Sequence, residues 1–115
     1  MQRGDVFLVE RPSREDPRRR RAVVVVSRSA LADTRFASVV CAPVYSRYDG
    51  IDTQVEVGPE SGLQHSSSVY CDNLLSIPKR QLTNFVGTLS AGKMREVSRA
   101  MAIALDITPE DIEDL

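Results

Sequence analysis

Arginine supplies the first chemistry legible in this chain. Residues 18 to 28 read RRRRAVVVVSR, four guanidinium groups set directly against four valines. Four consecutive β-branched residues predict a strand with both faces largely covered. Arg21 abuts that strand, so its guanidinium is anchored by a rigid element. Its planar fork matches the oxygens of an anion bidentately and stays charged at any cellular pH. By composition alone the run Arg18 to Arg21 reads as a solvated charged loop sooner than as a binding site. Imidazole titrates near neutral pH and suits a general base, but the only histidine, His65, lies in the polar stretch GLQHSSS. It reads as a loop residue first.

The elements that position these groups follow from pattern. Gly4 and Asp5 open a strand, DVFLVER, which Pro12 stops. Residues 11 to 20 combine two prolines with many charges and no apolar periodicity, the signature of a mobile surface loop. The strand RAVVVVS follows, then one short helical turn in SALADT, then a long apolar strand, RFASVVCAPVY. RYDGI is a turn, with Asp49 and Gly50 supplying the positive φ that hairpins use. DTQVEV alternates as a half-exposed strand should. GPESGLQHSSS is a second long loop, and VYCDNLLSI and NFVGTL are further strands separated by a basic turn around Lys79 and Arg80.

Only SAGKMREVSRAMAIAL reads as a long helix: Met94, Val97, Met101, Ala104 and Leu105 share one face, which marks the methionines as core. Ser90 is its expected N-cap. TPEDIEDL then offers a cap at Thr108, proline at the first helical position and acids in the first turn. Many short strands ahead of one amphipathic helix predict a small, strongly bent antiparallel barrel of the α+β type, closed by that helix.

Composition bounds the function. At 115 residues, 42% hydrophobic and 27% charged, the chain is expected to form one globular domain. Fifteen basic against sixteen acidic residues exclude a histone-like, wholly basic nucleic-acid binder. Yet seven of those cations fall between Arg11 and Arg28, while residues 106 to 115 carry five acids and no base. A local basic patch is therefore expected. No apolar run approaches a membrane span, and MQRGDVF lacks the apolar core of a signal peptide, so a cytoplasmic location is expected. Cys41 and Cys71 fit neither a disulfide scaffold nor a metal-ligand spacing and read as reduced, small apolar residues.

Taken in order, RGDV, the charged loop, RAVVVVS, CAPVYS, VYCDNLLSIPK and FVGTLS with its helix resemble the MazF/PemK (Kid) family of toxin endoribonucleases, from about residue 2 to residue 106. No one motif is specific; their order and spacing carry the likeness. The resemblance implies an SH3-like or CcdB-like barrel, a homodimer, and cleavage of single-stranded RNA at short sequences with no metal or other cofactor. It implies neutralisation by a dimeric antitoxin whose acidic, disordered tail lies in the RNA groove.

It also implies roles. The family's catalytic arginine begins the second strand, which here is Arg21, with Arg20 one residue away as its alternate and Ala22 where the family usually has proline. A family threonine follows the proline that ends the third strand. Counting from Pro43, Tyr45 takes that position and Ser46 the next, so Ser46 is expected to be the catalytic hydroxyl and Tyr45 to stack on a base. Arg18, Arg19, Arg20, Arg47, His65, Asp72 and Asn73 are the further expected RNA contacts, with Asp72 alternatively pairing with Arg21. Two other readings stay open: a catalytically weakened RNA- or antitoxin-binding module, since tyrosine replaces threonine, and a CcdB-like gyrase inhibitor. The latter branch typically carries a tryptophan near its C-terminus, and this chain has none.

Overall fold

The four valines need two apolar environments, because successive side chains of a strand point to opposite faces. The computed structural model, which describes residues 1–10, 14–35 and 37–113, supplies both. Strand β2 (Arg20–Val25) lies between β1 (Asp5–Glu10) and β3 (Ser38–Tyr45), antiparallel to each. Val23 and Val25 pack with Phe7, Val9, Val39 and Ile77, whereas Val24 and Val26 pack with Val6, Ala42, Val44 and Val69. None of the four valines is more than 7% exposed. Burying a side chain of this size contributes about 1.5–3 kcal/mol, so β2 is the anchor of both cores. Arg11 and Pro12, expected to end the first strand, lie outside the described residues, as do Phe36 and residues 114–115.

Strands β4 (Gln54–Val57), β5 (Ser67–Tyr70), β6 (Leu75–Pro78) and β7 (Asn84–Thr88) complete a curled antiparallel half-barrel in the order β4-β5-β3-β2-β1-β7. β6 adds to the first half of β3, through Val39 and Ile77, beside β5, which takes the second half through Val44 and Val69. The stretch VYCDNLLSI is therefore two strands instead of one. A 3-10 turn, Cys71–Asn73, divides them, because Asp72 and Asn73 favour a turn while Cys71 is drawn into the core. Gly50 does take a positive φ of 75°. It does not make a hairpin, since β4 pairs with β5 and the connection from β3 crosses the end of β5.

The short helix α1 (Ser29–Ala32) follows β2, and α2 (Ala91–Ala104) covers one face of the sheet with Met94, Val97 and Ala100 buried. Met101 and Ala104 pack at the margin of the same core. Leu105, expected on the buried face, is 58% exposed because it lies beyond the last helical turn, as the C-cap. The Ser90 hydroxyl accepts a hydrogen bond from the Lys93 N–H at 3.1 Å, the N-cap that the sequence predicts. Ser90→Ala should cost about 1 kcal/mol of stability. Urea unfolding would show this as a lower midpoint at constant slope, and an unchanged midpoint would mean the cap contributes nothing.

The C-terminal segment forms α3 (Pro109–Ile112), closed by a capping box between Thr108 and Asp111. Residues 106–113 are all exposed, with Ile107 at 42% and Ile112 at 55%, so the segment is not packed into the sheet. Both cysteines are free and buried. Burial pushes the Cys41 thiol up to about 12, and burial together with the Asp72 charge pushes Cys71 up to about 11, which leaves both thiols protonated and unreactive. No described helix is long and apolar enough to cross a membrane.

Candidate active site

Strand register brings the chemistry-bearing residues together. In the β1–β2 ladder Val9 stands opposite Arg21 and Glu10 opposite Arg20. In the β2–β3 ladder Ala22 pairs with Val44, and one further step sets Arg21 across from Tyr45. The two side chains meet: the Arg21 guanidinium carbon lies 4.4 Å from the centre of the Tyr45 ring. Arg21 is half-buried, and no carboxylate forms an ion pair with it among the described residues. Its charge is held by an aromatic face without being neutralised.

Arg21 and Tyr45 border a cavity of about 390 Å³. Arg20, Ser46 and His65 line the same cavity, over an apolar floor that includes Leu8, Leu63 and Val86. Five residues singled out from sequence, more than forty positions apart at the extremes, thus share one concavity. Ser46 follows the last residue of β3 and is exposed, and no hydrogen bond joins its hydroxyl to Arg21 among the described residues. The residue facing Arg21 is Tyr45.

The wall that carries His65 is laid against β7 by two glycines. The 3-10 turn Pro59–Ser61 ends at Gly62, whose φ is +93°, and a Cβ there would fall 1.9 Å from the Val86 carbonyl oxygen. A Cβ on Gly87 would fall 2.1 Å from the Ser61 carbonyl oxygen. Only glycine at both positions allows this backbone contact. Leu63, Gln64 and His65 follow directly and form the cavity wall.

Four expected contacts lie elsewhere, and Arg19 borders no part of the cavity either. Arg18 is exposed, and its backbone N–H donates to Asp16. Arg47, with 82% of its side chain exposed, pairs with Asp49 at 2.6 Å. Asp72 and Asn73, expected on a strand, sit in the turn Cys71–Asn73 beside α2 and β4. Asp72 accepts a hydrogen bond from the Thr53 hydroxyl and does not pair with Arg21. Neither Asp72 nor Asn73 lines the cavity.

A second set of residues escaped the sequence reading. The Tyr45 and Tyr70 rings meet edge to face, with centroids 4.6 Å apart and planes at 64°. The Tyr70 hydroxyl donates to the Arg47 carbonyl at 2.8 Å and lies 3.4 Å from Asp49 Oδ2. Gln54 donates to that carboxylate at 3.1 Å and accepts from the Asp49 N–H at 2.8 Å. The hydrogen bonds from Gln54 and then Arg47 hold the Asp49 carboxyl below its usual range, while desolvation and then the Asp49 charge push the Tyr70 phenol up. The one signal in the sequence was period two: Ser68 and Tyr70 share a face of β5. Among the described residues no three His, Cys, Asp or Glu side chains form a group able to hold a metal ion.

Known proteins share this arrangement of strands and helix. A family model described as PemK-like, MazF-like toxin of type II toxin-antitoxin system matches residues 2–105. Endoribonuclease MazF3 of Mycobacterium tuberculosis is 30% identical over 87 residues, which span 76% of this chain and 84% of that protein. The solved structure of Mycobacterium tuberculosis toxin MazF-mt6 superposes with a TM-score of 0.78 at 25% identity, covering 90% of this chain and 98% of that one. A mycobacterial endoribonuclease solved in complex with its cognate antitoxin has the same fold, with a TM-score of 0.80 at 24% identity over 94% of this chain and 97% of that one. On the match over residues 2–105, this chain belongs to the PemK/MazF-like family of type II toxins.

Proposed function

We propose that the cavity beside Arg21 is where this MazF-type endoribonuclease toxin cuts single-stranded RNA, by attack of the ribose 2′-OH on the adjacent phosphate and without a metal. The observation that carries the reading is the un-neutralised Arg21 guanidinium at the edge of a cavity that also gathers Arg20, Tyr45, Ser46 and His65. Charge accumulates on the non-bridging phosphate oxygens in the transition state. A fixed guanidinium beside them lowers the barrier more than it stabilises the ground state. Ser46 supplies a hydroxyl to the same phosphate, and His65 contacts RNA from the loop wall. Arg20 lines the cavity beside Arg21, with Arg18 and Arg19 next to it in the chain, so binding should weaken steeply with salt as counterion release is lost.

The protein acts in the cytoplasm as a homodimer and is restrained by an antitoxin. A related mycobacterial endoribonuclease, solved with its cognate antitoxin, supports that partner. An acidic, disordered antitoxin tail suits a groove built for a polyanion.

Incubation of the purified protein with long single-stranded RNA in excess EDTA tests the reading. Discrete cuts leaving 2′,3′-cyclic phosphate or 3′-phosphate and 5′-OH ends are expected. Intact RNA, with the protein folded and RNA bound, would favour a binding module instead, a reading supported by the tyrosine that faces Arg21.

A further inference from the structure

The aromatic contacts behind Arg21 involve residues to which the proposed cleavage gives no direct chemical step. Arg21 rests on one face of Tyr45, Tyr45 packs against Tyr70, and Tyr70 is fixed by its hydroxyl to the Arg47 carbonyl beside the Asp49 carboxylate. Gln54, only 9% exposed, braces Asp49 from below. We infer that Tyr45 and Tyr70 are positioning residues: their edge-to-face rings hold the Arg21 guanidinium in its working orientation, and Asp49 with Gln54 fixes the assembly. The inference deepens the ribonuclease reading of Arg21 and rests on it.

Three features of the arrangement favour this role. An arginine side chain is long and loses much rotamer freedom when held, so a catalytic one needs a support. A carboxylate support would neutralise part of the charge that the phosphate requires; an aromatic face orients the guanidinium and leaves its five N–H donors free at the rim. The negative group of the network, Asp49, is placed behind Tyr70, where it anchors a phenol and pairs with Arg47 instead of Arg21. With Arg21 on its face and Tyr70 against it, the Tyr45 ring is a support and not an open platform for a base.

Single-turnover cleavage and NMR of the Arg21 side chain test this together. Tyr45→Leu should lower the rate at saturating RNA about tenfold or more, with KM changed much less, since orientation and not binding is lost. Tyr45→Phe should recover most of that loss, because the ring is kept and only the hydroxyl removed. Tyr70→Phe should fall between them and keeps the test decisive if Tyr45→Leu folds poorly. The Arg21 Nε–H proton should show an upfield ring-current shift in the wild type and in Tyr45→Phe, and lose it in Tyr45→Leu. Wild-type cleavage by Tyr45→Leu, an equal loss in Tyr45→Phe and Tyr45→Leu, or the absence of the ring-current shift would each overturn the inference. Should the wild type itself leave RNA intact, the ribonuclease reading falls on its own, and the Arg21 shift still decides whether the stack holds the guanidinium.

Discussion

Arg21→Ala is expected to reduce RNA cleavage by about a thousandfold while the protein folds as before. Removing one group that stabilises developing transition-state charge commonly costs 10²–10³ in rate, and removing a fixed arginine from a phosphoryl centre costs about 10³ or more. The fold should tolerate the change. Arg21 is half-buried in the first pleat of β2, and its side-chain partner among the described residues is the Tyr45 ring, a contact contributing about 0.5–2 kcal/mol. The cores on both faces of β2 are built from Val23 to Val26 and lose nothing. Single-turnover cleavage of a long single-stranded RNA, with urea unfolding of the same preparation, separates the two effects. Arg20→Ala serves as the comparison, because Arg20 is exposed, lines the cavity as well, and lacks the aromatic support. A rate within tenfold of wild type for Arg21→Ala would move the reacting phosphate elsewhere.

Gly62→Ala should be the most damaging substitution outside the charged residues, costing about 2–4 kcal/mol of stability. One part of that cost is conformational, since φ at this position is +93° and alanine resists it. The larger part is steric: the new Cβ would stand 1.9 Å from the Val86 carbonyl oxygen, so the loop must lift from β7. Lifting it displaces Leu63 and His65, hence the cavity wall, and cleavage should fall with stability. Urea unfolding measures the first effect and cleavage the second. A variant as stable as wild type would show that the loop has room the close approach denies.

Both expectations depend on features that were unequally visible in the primary structure. The valine run announced β2 because a strand buried on two faces has no other economical composition. The helix α2 and its Ser90 cap were visible for a similar reason, since the signals lie within one turn of each other in sequence. Arg21 and His65 could be chosen by type, Tyr45 and Ser46 only through the family resemblance, and all four reach one cavity. What local pattern could not specify was partnership. Arg21 faces Tyr45 because of how β2 registers with β3, and Asp72 turns toward Thr53 because the chain breaks at Cys71. Tyr70, Asp49 and Gln54 acquire their roles only when β4 and β5 come side by side. The exposure of Leu105 and of α3 depends on where the helix stops, a boundary that an amphipathic pattern leaves loose by a residue or two.

The pairing of Glu10 with Arg20, and of Ala22 with Val44, fixes Arg21 to the sheet and not to the connection that precedes it. Sequence change is therefore partitioned. Between Glu10 and Arg20 the chain can diverge in length and charge, at small entropic cost, and alter what the rim of the groove meets. The Arg21 charge stays where two ladders put it. A lineage can thus vary that connection without moving the guanidinium.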